Sequence, residues 1–123
     1  MSSYNDLDIY KMAYKYAIEV HHMSLTLPNY ELYEQGSQVR RSSKSIKDTI
    51  AEGYGRKRYT ADYIKFLTYA LASNDETIDH LETLFETESL KDIEFYNNVH
   101  EKLNLLGKKI NLFRQAIEKS LNK

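Results

Sequence analysis

The chain has 123 residues, of which 41% are apolar and 28% are charged, and its formal net charge is −1. This size and composition predict one globular domain, residues 1–123, and exclude a disordered chain. The chain has no cysteine, which excludes disulfides, thiol catalysis and cysteine zinc sites, and its single proline and four glycines predict long uninterrupted elements.

The beginning of the sequence has neither the basic start nor the apolar stretch of a signal peptide. No run of 18 apolar residues could span a membrane. A soluble protein of the cytoplasm is therefore expected.

Apolar residues recur at spacings of three and four in four segments, which predicts four amphipathic helices. The first runs from about 6 to 26, with Asp6 as its cap, and ends before Pro28. The second covers about 31–53, the third about 60–87 behind a Thr60 cap, and the fourth about 90–121 behind a capping box formed by Ser89 and Asp92. Because short turns make consecutive helices antiparallel, the predicted fold is an all-α, up-down-up-down four-helix bundle.

Small and polar residues mark three positions in these helices. Gly53 and Gly55 are predicted to end the second helix, since glycine readily adopts the left-handed conformation of a helix C-terminus. Asn74 lies in the core row of the third helix, where a polar contact that fixes helix register is the favoured interpretation.

Aromatic side chains form a second row beside the core row on the first and third helices. Two interpretations fit this row: amphipathic tyrosines at the rim of a broad core, or the subunit interface of a homo-oligomer, where tyrosine is enriched. The candidate interface residues are Tyr10, Tyr14, Tyr59, Tyr63 and Phe66.

Charge is unevenly distributed along the chain. Residues 75–94 hold eight acids and one lysine, whereas residues 40–58 hold seven basic residues and two acids, a local charge of +5. Clustered cations of this kind favour binding of RNA or DNA phosphates, and the alternatives are a solvated face or contact with an acidic neighbouring subunit. The candidate nucleic-acid-binding residues are Arg40, Arg41, Lys44, Lys47, Arg56, Lys57 and Arg58.

Motifs of known catalytic sites are missing from the sequence. There is no G-x-S-x-G, and the G-x-G at Gly53 lacks the rest of a nucleotide-binding fingerprint. Glu19 and His22 make one Glu-x-x-His, whereas a di-iron bundle needs two such motifs and two further glutamates. We therefore expect no catalytic residue, metal or cofactor. Glu52 opposes the dipole at its helix end, and pairing with Arg41 or Arg56 is expected to compensate.

The second helix carries a motif of a known family. Gln38-Val39-Arg40-Arg41, Ser45-Ile46 and Ile50-Ala51-Glu52-Gly53-Tyr54-Gly55-Arg56 resemble the Q-x-R-R…S-I…N-I-A-E-G-x-G-R signature of the 23S rRNA intervening-sequence proteins. The resemblance extends over about residues 6–118 and makes Glu52, Gly53 and Gly55 structural members of the signature. The chain departs from the family at Lys47-Asp48-Thr49, where Pro-Ser-Asn is frequent.

This resemblance implies a four-helix bundle that forms a homo-oligomer, commonly a pentamer, with no established enzymatic activity. Related accessory proteins of diversity-generating retroelements bind a reverse transcriptase and nucleic acid through a basic surface. The favoured hypothesis is a non-enzymatic oligomer whose basic surface binds structured RNA or a ribonucleoprotein partner, including a reverse-transcriptase-like protein. The alternative is a protein–protein assembly module in which the signature charges hold subunits together without nucleic acid.

Overall fold

The computed structural model describes residues 3–121, and these form helices and turns without any β-strand. A 3₁₀ turn, Tyr4–Asp6, precedes the first helix. The helices are α1 (Asp8–Ser24), α2 (Asn29–Leu32), α3 (Gln35–Gly55), α4 (Thr60–Glu86) and α5 (Ile93–Leu121). The four long helices pack against one another, which confirms the predicted four-helix bundle. No helix in residues 3–121 is both long and apolar enough to cross a membrane.

Side-chain contacts join neighbouring helices, and those between α4 and α5 establish that this pair is antiparallel. Between α4 and α5, the rings of Tyr63 and Phe113 are 5.9 Å apart at one end, and the rings of Phe85 and Tyr96 stack at 4.1 Å at the other. Between α3 and α4, Thr77 donates a hydrogen bond to Ser42. The α1 and α5 helices are joined by an ion pair between Glu19 and Lys102.

The core lies along the four inner faces that the apolar spacing predicts. Its fully buried members include residues from every long helix: Val20, Val39, Ile46, Ile50, Leu67, Leu81, Leu84, Val99, Leu103, Leu106 and Ile110. Burial of these side chains is the main stabilising contribution to the fold, at about 1.5–3 kcal/mol for each large aliphatic group.

A buried amide lies at the centre of the contact between α4 and α5. Asn74 is fully buried, and its Nδ2 donates a hydrogen bond of 2.9 Å to the carbonyl oxygen of Leu103. A Cβ at position 107 would lie 2.9 Å from the same nitrogen, so Gly107 leaves the space that the amide occupies. This geometry agrees with the polar core contact predicted for Asn74.

The predicted helix ends need several corrections. Asp6 lies in the 3₁₀ turn, where Ser3 forms a capping box with it, and α1 begins two residues later. Thr60 is the first residue of α4 and provides no side-chain cap. At α5 the cap is Asp92, whose carboxylate accepts a hydrogen bond from the backbone N–H of Phe95, while Ser89 bonds to Glu31 instead.

The second predicted helix is divided in the structure. The short α2 ends at Leu32, and Tyr33 and Glu34 separate it from α3. At the other end, Gly53 and Gly55 are helical, and no glycine in residues 3–121 has a positive φ. The predicted left-handed glycine cap is therefore wrong. The left-handed residue in the described chain is Glu88, with φ 63°, in the turn after α4.

Candidate nucleic-acid interface

The seven candidate basic residues do not form one continuous surface. Arg41, Arg56, Lys57 and Arg58 are exposed, whereas Arg40, Lys44 and Lys47 are half-buried on the side of α3 that faces α1. Helical spacing correctly places these last three on one face, but that face is partly covered by the neighbouring helix. The exposed cations are therefore the ones available to a ligand.

Arg40 holds the connection between α1 and α3. Its guanidinium donates hydrogen bonds of 3.0 Å to Ser24 Oγ and 2.9 Å to the carbonyl oxygen of Leu32. These acceptors lie at the end of α1 and in α2, so Arg40 ties both segments to α3. Two of its five N–H donors are used within the chain and the side chain is half-buried, which makes Arg40 a structural residue first.

Lys47 is also engaged within the chain. Its ammonium forms an ion pair of 2.8 Å with Asp48 and lies 5.8 Å from the centre of the Tyr14 ring. The hydrogen bond to Asp48 is the main cause of the raised pKa of Lys47, which burial partly opposes. Lys44 lies near His21, and the pKa of that imidazole is lowered first by burial and then by the positive charge of Lys44.

The turn after α3 presents three exposed cations, and each lies against an aromatic ring. The Arg56 guanidinium is 4.6 Å from the centre of the Phe66 ring, Lys57 Nζ is 4.0 Å from that of Tyr54, and the Arg58 guanidinium is 5.7 Å from that of Tyr59. Within residues 3–121 none of these cations forms an ion pair with a carboxylate.

Contact of this kind orders a long side chain and leaves most of its hydrogen-bond donors for a ligand. Lys57 uses one of its three N–H donors on Tyr54 Oη, at 2.7 Å. A guanidinium that lies over a ring uses its flat face, and its N–H groups at the edge still reach solvent. The segment Arg56-Lys57-Arg58 can therefore hold a polyanion with little further loss of side-chain freedom.

Arg41 lies apart from this turn, on the side of α3 that faces α4. It shares a shallow groove with Gln38, Ser45 and Glu76. The carboxylate of Glu76 bonds to the imidazole of His80 on the same helix and lowers the positive potential of the groove. Arg41 thus extends the basic area along α3 but contributes less net charge than the turn.

The three structural signature residues have distinct environments. A Cβ at Gly53 would lie 2.9 Å from the Cβ of Phe66, whereas nothing lies within 4 Å of a Cβ at Gly55. Gly53 is thus needed for the close approach of α3 and α4. Glu52 is exposed, and its expected ion pair with Arg41 or Arg56 is not found among residues 3–121.

The candidate interface aromatics are also divided. Tyr63 is only 6% exposed and belongs to the core, where burial raises its pKa to about 12. Its ring packs against those of Tyr54 and Phe113 within the chain, so Tyr63 is a core residue and not a surface residue of α4. Tyr10 and Phe66 are half-buried, and Tyr14 and Tyr59 are exposed.

The sequence interpretation missed two exposed tyrosines in the connection between α1 and α3. Tyr30 is 70% exposed and Tyr33 is 82% exposed. Tyr30 and Tyr33 follow Pro28 by two and five residues, in a segment without an apolar repeat, and this position is the signal that could have identified them as surface residues. No group of three or more His, Asp or Glu side chains in residues 3–121 is arranged to hold a metal ion.

The fold has a close counterpart among solved structures. A protein of unknown function from the S23 ribosomal protein family of Bacteroides thetaiotaomicron VPI-5482 superposes with a TM-score of 0.79. The match covers 87% of this chain and 95% of that chain at 24% sequence identity, so it supports the shared bundle fold. A comparison with curated proteins gives no match.

The sequence pattern of one protein family covers nearly all of the bundle. The pattern described as 23S rRNA-intervening sequence protein matches residues 5–112, from the 3₁₀ turn into the second half of α5. That range includes α3, the basic turn and the Gly53 contact. The chain belongs to the 23S rRNA-intervening sequence protein family.

Proposed function

We propose that the protein is a non-enzymatic, homo-oligomeric bundle that binds structured RNA, or a ribonucleoprotein partner, through the exposed cations of α3 and the following turn. The observation that carries this proposal is the segment Arg56-Lys57-Arg58, whose three charges are exposed, ordered on aromatic rings and unpaired with any carboxylate in residues 3–121. Membership of a family named for 23S rRNA intervening sequences supports RNA as the polyanion.

The surface suits recognition of phosphates and of RNA shape. Lysine and arginine on a short turn can follow a sugar–phosphate backbone and release its counterions. Tyr59, which is 61% exposed beside Arg58, offers a ring on which an unpaired base can stack. We therefore expect a preference for stem-loops with unpaired bases over uninterrupted duplex.

The proposal is tested by neutralising the turn. In the variant Arg56→Gln/Lys57→Gln/Arg58→Gln, we expect binding to a labelled RNA stem-loop to weaken, and the salt dependence of log K to become shallower by about 2–3 for three lost phosphate contacts. The matched control, Lys11→Gln/Lys15→Gln/Lys91→Gln, removes the same charge from exposed positions elsewhere.

Equal RNA affinities and equal salt slopes for the two variants would refute a specific role for the turn. Circular dichroism of both proteins checks that the bundle is intact. Because all six side chains are exposed, we expect no change in helix content.

A second candidate function is assembly without nucleic acid. It is favoured by the exposure of Tyr14, Tyr59, Tyr30 and Tyr33, since large aromatic side chains on a surface are typical of protein interfaces. Light scattering on the neutralised turn variant separates the two functions: dissociation into monomers supports assembly, and an unchanged mass with lost RNA binding supports the RNA function.

A further inference from the structure

The shallow groove that contains Arg41 has an entirely polar lining. It lies between α3 and α4 and has a volume of about 560 Å³, which is within the range of ligand sites. We call it the α3–α4 groove, and the side chains that line it are those of Gln38, Arg41, Ser42, Ser45 and Glu76. Such a lining indicates a ligand with several hydrogen-bonding groups.

The carboxylate of Glu76 is held in this groove by a buried histidine. His80 is only 8% exposed, and its Nε2 donates a hydrogen bond of 3.2 Å to Glu76 Oε1. The other ring nitrogen of His80 accepts a hydrogen bond from the amide of Gln35, at the start of α3. Among residues 3–121 the second carboxylate oxygen of Glu76 has no hydrogen-bond partner, and the side chain is 59% exposed. The groove therefore presents an oriented acceptor to a ligand.

The hydroxyl groups between the two helices are bonded to one another. Thr77 donates a hydrogen bond of 2.9 Å to Ser42, and the hydroxyls of Ser45 and Ser73 are also 2.9 Å apart. These bonds join α3 to α4 beneath the groove and fix the distance between its walls. Arg41 is exposed and forms no ion pair with a carboxylate of residues 3–121. A free cation on α3 thus lies across the groove from the acceptor on α4.

These two groups require different partners on one ligand. The guanidinium of Arg41 is suited to a phosphate, whereas the carboxylate of Glu76 repels a phosphate and accepts a hydrogen bond from a hydroxyl group. A ribonucleotide supplies both, because it carries a phosphate and a 2′-hydroxyl. A deoxyribonucleotide has no 2′-hydroxyl and would leave the carboxylate unpaired.

The groove is continuous with the surface that carries Arg56. Arg41, Glu52 and Arg56 are separated by steps of eleven and four residues and so share one face of α3. Arg56 in turn lies over the Phe66 ring of α4. The two arginines are about 22 Å apart along the helix axis, at 1.5 Å for each residue. The exposed carboxylate of Glu52 lies between them, so this face offers acceptors as well as cations, unlike a surface for phosphate alone.

From these contacts we propose that the α3–α4 groove is the site at which the protein distinguishes RNA from DNA. Arg41 binds a phosphate there, and Glu76 accepts a hydrogen bond from a ribose 2′-hydroxyl. His80 is a positioning residue, because it acts through Glu76. The proposal rests on the RNA function proposed above and names the chemical group by which RNA is selected.

A change of the sugar in the RNA tests the proposal. The probes are the labelled RNA stem-loop and a 2′-fluoro version of the same sequence, which keeps the sugar pucker of RNA but cannot donate the hydrogen bond. We expect the wild type to bind the hydroxyl form about three- to tenfold more tightly, as for the loss of one hydrogen bond. Glu76→Ala should bind the two forms equally.

Two control variants separate this role from charge and from structure. Asp75→Ala removes the same charge from the neighbouring exposed position, about 100° around α4, and should keep the preference for the hydroxyl form. Arg41→Gln should weaken binding of both forms by the same factor, because both carry the phosphates. If Glu76 only held His80 in place, its replacement would change both affinities together and leave their ratio unaltered.

Equal binding of the two forms by the wild type, or a preference that persists in Glu76→Ala, would overturn the groove's role while the RNA function stands. A wild type that binds neither form would remove the RNA function and the groove's role together. The two failures are therefore told apart by whether the wild type binds the unmodified stem-loop.

Discussion

Gly53 and Gly55 are separated by one residue, but they have different structural roles. At Gly53 an added Cβ would lie 2.9 Å from Phe66 Cβ and 3.2 Å from Tyr63 Cδ1, two atoms fixed by the packing of α4. At Gly55 the space is open, and neither residue has the positive φ that would require glycine. The first glycine therefore determines how closely the helices pack, and the second only lowers helix propensity.

Alanine substitution distinguishes these roles. We expect Gly53→Ala to lower the free energy of unfolding by about 1–3 kcal/mol, because the Phe66 Cβ cannot rotate away. Gly55→Ala should leave the stability unchanged or raise it by up to about 1 kcal/mol, since alanine is the better helix former. Urea unfolding followed by circular dichroism measures both, and equal destabilisation by the two changes would contradict the packing role.

The short α2 is an element whose position depends on side chains far along the chain. Arg40 in α3 and Ser89 after α4 supply its main hydrogen bonds, through Leu32 and Glu31. Arg40 and Arg41 are adjacent in sequence, yet one is half-buried in this contact and the other is exposed. Substituting the two arginines separately therefore tests the structural role of Arg40 apart from any role of Arg41 in ligand binding.

We expect Arg40→Gln to lower the free energy of unfolding by about 1–3 kcal/mol, because Ser24 and Leu32 lose a charged donor. Arg41→Gln should change stability by less than about 0.5 kcal/mol, as is usual at exposed positions. Thermal or urea unfolding of the two variants provides the comparison. If Arg41→Gln proved the more destabilising, the assignment of Arg40 as the anchor of α2 would be wrong.

The four long helices could be predicted from the sequence, whereas the break after α2 and the left-handed turn residue could not. Apolar spacing identified all four long helices, because the core residues follow the helical repeat without interruption. The break at Tyr33 and Glu34 is not predicted, since the nearest glycine, Gly36, lies inside α3 and the bonds that hold α2 come from distant residues. A left-handed backbone conformation is predicted at Gly53 and Gly55 but occurs at Glu88. There the geometry of the turn outweighs the steric cost of a side chain.

At the scale of the whole molecule, the turn after α3 carries three exposed cations, whereas the turn between α4 and α5, at the opposite end of the bundle, carries mostly exposed carboxylates. The sequence predicted the segregation, because the basic and acidic residues are clustered along the chain. It did not predict that Arg40 and Lys47 would be engaged with α1, α2 and Asp48, which leaves the turn after α3 as the main source of free charge. Periodicity locates a helix face, but it does not show how far a neighbouring helix covers that face.

The buried amide of Asn74 has a consequence for the length of the molecule. Because its bond to Leu103 and the space at Gly107 match at only one axial position, α4 cannot slide by a turn along α5 without losing both. The 27 residues of α4 separate the turn after α3 from the turn that leads into α5. At a rise of 1.5 Å for each residue, they make the bundle a rigid spacer that holds whatever binds at its two ends about 40 Å apart.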